Sequence, residues 1–269
     1  MGRYGDSIGA ADKLRHMRTK EVLSVKGRPK FSTSLEGYYS MSGHVMVRVG
    51  RWQEIIDAPL PDDPDPYPVS TAMHHYAKGV AYASLKQFED ADRERVLFRD
   101  SLTRISPQRK VFNNTAHSIL AVGEKMLDGE LDYHKGNHEA AYAHLREAVR
   151  RDDNLEYIEP WAWMHPPRHA LAALLAEQGH YNEAEEVCRD DLGLSGRVQR
   201  CAQHPDNVWA LHGLVECLRQ RGEATELQVV QTKLASAMAL ADVPIKSSCM
   251  CRLTVPIEKP DSCCASACP

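Results

Sequence analysis

Aromatic side chains make up only 7% of this 269-residue chain, and β-branched runs are scarce beside Ala, Leu, Glu and Arg. That balance withholds the residues from which sheets are packed and favours helix. No apolar run approaches the roughly 18–20 residues that cross a bilayer. The opening Met1-Gly2-Arg3-Tyr4-Gly5-Asp6 lacks the apolar centre of a secretory signal, so the expectation is a cytoplasmic protein without a membrane span. Neither sign of charge dominates: 33 basic and 37 acidic residues leave a net −4, with no basic face for a phosphate backbone, and no nucleic-acid partner is expected. Also missing are a glycine-rich phosphate loop, a Gly-x-Ser-x-Gly elbow and any Cys-x-x-Cys pair. Catalysis is therefore not the first expectation, and no cofactor is expected.

What is present is a hydrophobic content of 43%, enough for a substantial core, arranged at helical spacing. The clearest stretch is Gly136-Asn137-His138-Glu139-Ala140-Ala141-Tyr142-Ala143-His144-Leu145-Arg146-Glu147-Ala148. A small residue seven positions before a turn glycine and an alanine five positions after it mark two antiparallel helices in close approach; Gly129, Gly136 and Ala141 satisfy this. The turn glycine supplies the left-handed conformation that ends the first helix. Gly43, Gly50 and Ile55 begin the same pattern, and Ala172, Gly179 and Ala184 repeat it. Lys86 stands where a second turn glycine belongs, after Gly79. Near the end the turn falls at Gln220, shifted toward Gly222.

Three regions follow. Residues 1–34 are expected to form a polar extension, either with a short helix around 10–25 or disordered, as a frayed start or the edge of a longer array. Residues 35–242 hold about five helix hairpins, separated by connections such as the proline-rich stretch 59–68, whose residues cannot form a ladder of N–H groups. Residues 243–269 form a cysteine-rich tail, expected to be disordered. The eight cysteines are expected to be reduced thiols, since several fall in helices and no export signal precedes them.

In this recurrence the chain resembles the tetratricopeptide repeat family over about residues 35–242. The strings Phe112-Asn113-Asn114-Thr115, Glu159-Pro160-Trp161-Ala162-Trp163-Met164-His165-Pro166-Pro167-Arg168-His169-Ala170-Leu171 and His204-Pro205-Asp206-Asn207-Val208-Trp209-Ala210-Leu211-His212-Gly213 further resemble a microbial branch of that family. The resemblance implies an all-α fold, an α-solenoid of about five antiparallel hairpins wound as a right-handed superhelix. Its first helices would line a concave groove that receives a protein or peptide segment.

Placed on such first helices, Ser40, His44, Tyr76, Met126, Glu130, Tyr133, Arg168, His169, His212 and Cys217 are the candidate binding residues. The alternative is a metal-dependent or small-molecule-processing enzyme whose pocket gathers His75, Glu159, Arg168, His169, His212 and Glu216. Thirteen histidines keep a divalent metal in view, with His75, His169, His212 and Glu216 as helical candidates. Cys249, Cys251, Cys263, Cys264 and Cys268 are soft ligands in the tail. His165 and His169 are four apart, but Pro166 and Pro167 intervene, so His165 is expected to precede the helix. Trp161, Trp163 and Trp209 read first as packing residues and second as the frame of a small-molecule pocket.

Overall fold

The computed structural model describes residues 2–17, 19–25, 29–61, 64–159 and 161–252. Its architecture is helical throughout, as the composition requires. In chain order the helices are α1 (Tyr4–His16), α2 (Lys20–Leu23), α3 (Pro29–Glu36), α4 (Met41–Arg48), α5 (Trp52–Asp57), α6 (Pro68–Ser84) and α7 (Phe88–Thr103). They continue with α8 (Ala116–His134), α9 (His138–Asp153), α10 (Pro167–Glu177), α11 (Tyr181–Asp191), α12 (Val208–Arg221) and α13 (Ala224–Met238). The sole strand pairing among the described residues is a two-residue antiparallel bridge, β1 (Lys110–Val111) with β2 (Asn114–Thr115). No described helix is long and apolar enough to cross a membrane.

Neighbouring helices pair as the turn pattern predicts: α4 with α5, α6 with α7, α8 with α9, α10 with α11 and α12 with α13. Successive pairs then lie against one another through α6 and α8, α9 and α10, α11 and α12, and α10 and α12. Four of the turn positions singled out in the sequence have positive φ, Gly50 at 70°, Lys86 at 60°, Gly136 at 87° and Gly179 at 82°; Gln220, the fifth, is still helical, and the left-handed residue is Gly222 at 77°. The last turn falls at Gly222, and Lys86 accepts the left-handed conformation despite its Cβ. The small positions are equally literal. A Cβ on Gly129 would lie 2.7 Å from Leu145, and one on Gly79 would lie 2.7 Å from Leu127, so these helices approach where only hydrogen fits.

Proline opens α6 and α10 at their first turns, where its missing N–H is no loss. The free amides in the first turn of α6 are satisfied from far away in the chain. Glu36, fully buried, accepts from Val69 N at 2.7 Å and Ser70 N at 2.9 Å, and Arg109 Nε reaches its other oxygen at 3.1 Å. A carboxylate at a helix start is held by both the free amides and the dipole.

The two ends of the described chain meet. α1, within the polar extension, packs on α4. Asp242 accepts from Tyr4 N at 2.5 Å and Gly5 N at 2.8 Å, and its own N–H donates to Gly2 O at 3.1 Å. Beyond it, residues 243–252 were expected to belong to a loose tail, yet they are non-helical and packed. Ile245, Ser247, Ser248, Cys249 and Cys251 are all buried. Apolar side chains from the stretch explain this: Ile245 and Met250 pack with Val208 and Trp209, while Cys249 and Cys251 join the main core. Residues 253–269, with Cys263, Cys264 and Cys268, lie outside the described residues.

Candidate functional site

Two stretches of the chain itself cover part of the faces that carry the candidate binding residues, around His44, Tyr76 and Met126 and along α12. The first is the connection before α10. Trp163 inserts into the core, donates from Nε1 to Met126 Sδ at 3.0 Å, and stands edge-on to His44 and Tyr76 with ring centroids 5.0 Å apart in each case. Gly123 makes room for it, since a Cβ there would fall 2.4 Å from the indole. The Asn113-Asn114 pair sets this connection in place: Asn114 exchanges two hydrogen bonds with the Glu156 backbone, and Asn113 Nδ2 donates to Tyr157 O.

The second covering stretch is 245–252. Ser248 sits against Gly213, where a Cβ would lie 3.1 Å from its own Cβ, and Met250 sits against Gly50. Arg252 Nη1 donates to Glu216 Oε2 at 2.6 Å. Cys249 Sγ lies 4.0 Å from His165 Nε2. Cys249 and Cys251 are joined as a disulfide, which corrects the expectation of reduced thiols for this pair; a turn brings their Cα atoms to 5.3 Å, within disulfide reach. In that state neither is a thiolate ligand. Cys188, Cys201 and Cys217 are free.

All the candidate binding residues except half-buried His212 are buried. His44, Tyr76 and Met126 meet around Trp163, where burial, and after it the charge of Glu130, push the Tyr76 hydroxyl well up. Glu130 has no hydrogen-bond partner on either carboxylate oxygen, and burial pushes it up to about 8. Ser40 is set apart, lining a small recess with Gly43 and His74. Tyr133 donates to Glu177 at 2.8 Å and Arg168 pairs with Asp153 at 2.6 Å.

The residues of the alternative pocket do not converge. His75 pairs with Glu94 at 2.6 Å, Glu159 is exposed beside Tyr157, Arg168 holds Asp153 and Glu216 holds Arg252. His169 instead joins two residues that sequence reading passed over. Its Nε2 is 2.8 Å from Asp191 Oδ2, and His204 Nδ1 is 2.8 Å from Asp191 Oδ1. All three are buried, with their ligand atoms within 4.8 Å of one another. Burial alone raises an aspartate, but the charges and hydrogen bonds of His169 and His204 hold Asp191 well below the usual carboxylate range. Burial pushes His169 down to about 4, so at neutral pH it is a neutral ring donating to a charged carboxylate. Two imidazoles and a carboxylate are a donor set suited to a divalent metal. The hint in the sequence was His204 itself, in the His204-Pro205-Asp206-Asn207 string, where Asn207 caps α12 by accepting from Trp209 N at 2.9 Å.

A cleft of about 430 Å³ opens beside this cluster, between α1 and α4, and reaches Trp161, Met164 and Trp209. Arg48 lines it with its guanidinium 4.7 Å from the centroid of Trp209 and a buried Nη1 that has no hydrogen-bond partner. His44 lines it too, pushed down to about 4 by burial, with Nδ1 unpartnered.

No family model, curated protein or solved structure matches the chain.

Proposed function

We propose that the chain is a tetratricopeptide-like α-solenoid that acts as a noncatalytic scaffold, recognising a segment of polypeptide on the concave face made by α6, α8, α10 and α12. The observation that carries this reading is the seating of residues 245–252 against α12, at Gly213 and Glu216, and against Gly50 and His165. Serine, cysteine and arginine of an irregular strand of chain are held there by a close approach at Gly213 and an ion pair at Glu216. A face that holds one such segment has the shape and the polar anchors to hold another, and the chain's own segment then competes with a partner's.

The test is peptide selection on the full chain, followed by photocrosslinking to locate the binders. Selected peptides should crosslink to the inner face and bind more tightly to the Arg252→Ala protein. Binders that map to the outer helices α7, α9 or α11 would overturn the proposal.

The metal-dependent reading keeps one specific support, the His169, Asp191 and His204 cluster. Metal analysis of untagged protein decides it: stoichiometric zinc or manganese lost in both His169→Ala and His204→Ala supports a metal centre. Metal-free protein that also refuses added metal leaves the cluster as a buried hydrogen-bond network.

A further inference from the structure

The cleft between α1 and α4 has the makings of a ligand site separate from the inner face. Its volume of about 430 Å³ falls within the range of roughly 300–1,000 Å³ usual for small-molecule pockets. Tyr4, Tyr38, Met41, Trp161, Met164 and Trp209 give it flat, apolar walls. Among the described residues, two cationic side chains line it and no carboxylate does. Arg3 is already paired with Asp6. Arg48 is not so engaged: one face of its guanidinium is against Trp209, and its Nη1 is buried without an acceptor.

A buried N–H without an acceptor is costly, so the acceptor has to come from somewhere. The carboxylate whose charge acts on Arg48 is Asp191, but its two oxygens are held by His169 and His204. The first amides of α1, at the same cleft, are taken by Asp242. One unsatisfied cation with no supporting amides suits a single negative charge better than a phosphate dianion. The planar fork of arginine matches a carboxylate. His44, with its unpartnered Nδ1, offers a second hydrogen bond from the same wall.

We propose that this cleft binds a small organic carboxylate with a flat apolar body, its acid group on Arg48 and His44 and its body between Trp161 and Tyr38. Trp209 lines the cleft and also packs against Ile245 and Met250, so the two proposals are told apart by their readouts, carboxylate preference lost in Arg48→Gln for this one and crosslinked peptide for the other.

The experiment titrates the full-length protein with phenylacetate, indole-3-acetate and decanoate, each beside its neutral amide, by calorimetry and tryptophan fluorescence. At least one acid should bind tighter than about 1 mM and exceed its amide by about ten- to a hundred-fold, the worth of a charge-assisted hydrogen bond. Arg48→Gln should erase that preference while leaving the weak amide binding unchanged. Ala10→Trp, at an exposed position on the cleft wall, should block acids and amides alike with the fold intact by circular dichroism, which covers the case where Arg48→Gln does not fold. Acids and amides that bind equally, an acid preference that survives Arg48→Gln, or no binding by any of the three acids would overturn it.

Discussion

Arg252 and Glu216 form the clasp that ties the described end of the chain to α12: Nη1 and Oε2 are 2.6 Å apart, and the side chains are only 6% and 12% exposed. At that burial the pair is neither screened by salt nor easily exchanged for water, and removing one partner strands a charge in the interior.

Glu216→Arg is therefore expected to release residues 245–252. Local opening should become easier by about 3 kcal/mol, read as faster hydrogen exchange across 245–252 and as earlier reduction and alkylation of Cys249 and Cys251. The exchanged pair, Glu216→Arg with Arg252→Glu, should recover most of the protection. Equal exchange in all three proteins would show that apolar packing at Ile245 and Met250 holds the segment without the clasp.

Gly123 is expected to tolerate no side chain, because Trp163 occupies the place of its Cβ at 2.4 Å. Gly123→Ala should destabilise by about 1–3 kcal/mol through overpacking, and Trp163→Ala by about 3–5 kcal/mol through the cavity it leaves. Urea unfolding measures both. The double variant should cost less than the sum, since the two substitutions relieve one another in part.

The buried titratable groups pull stability in opposite directions with pH. His44, His134 and His169 are each pushed down to about 4 by burial, so the unfolded chain takes up their protons first. Their contribution is intact above about 6.5 and is lost as pH falls toward 4. Glu130, pushed up to about 8 by burial, behaves the other way: the folded state keeps the proton, and stability is lost as pH rises from about 4.5 to 8. Glu130→Gln should thus help little at pH 5 and increasingly toward pH 8, by up to about 1.4 kcal/mol for each pH unit. A gain independent of pH, in unfolding curves at pH 5, 6.5 and 8, would place the Glu130 carboxyl in contact with water.

The helix pairs were legible in the sequence because their rules are local. Gly129 and Gly136 lie seven residues apart within one hairpin, and the contact they make possible, with Leu145, is only nine positions further on. The candidate residues were expected on an open groove, and their burial was not legible. His44, Tyr76 and Met126 meet in the core around Trp163, which arrives from 37 residues beyond Met126, and no periodicity encodes that. Cys249 reaches His165 across 84 residues, so the seated tail left no mark in a reading by spacing. Asp191 was hidden for a different reason: it ends α11 and reads as an ordinary charged residue at a helix end, until His204 of the next connection folds back upon it.

Lys86 tests whether the turn rule is a matter of geometry or of packing. Its φ of 60° is the left-handed conformation that costs an L side chain about 1–2 kcal/mol, yet the turn closes as its glycine counterparts do, with Lys86 N donating to Ala83 O at 3.0 Å and Gln87 N to Tyr82 O at 2.9 Å. Lys86 is exposed, so a change there removes no core contact. Lys86→Gly should accordingly stabilise the protein by about 1 kcal/mol once the added freedom of the unfolded chain is subtracted, raising Tm by about 2–4 °C for a chain of this size. Lys86→Val, with a branched Cβ in the same conformation, should lower it. If both substitutions left Tm unchanged, the α6–α7 turn would be held by the helices on either side and not by the residue at its corner.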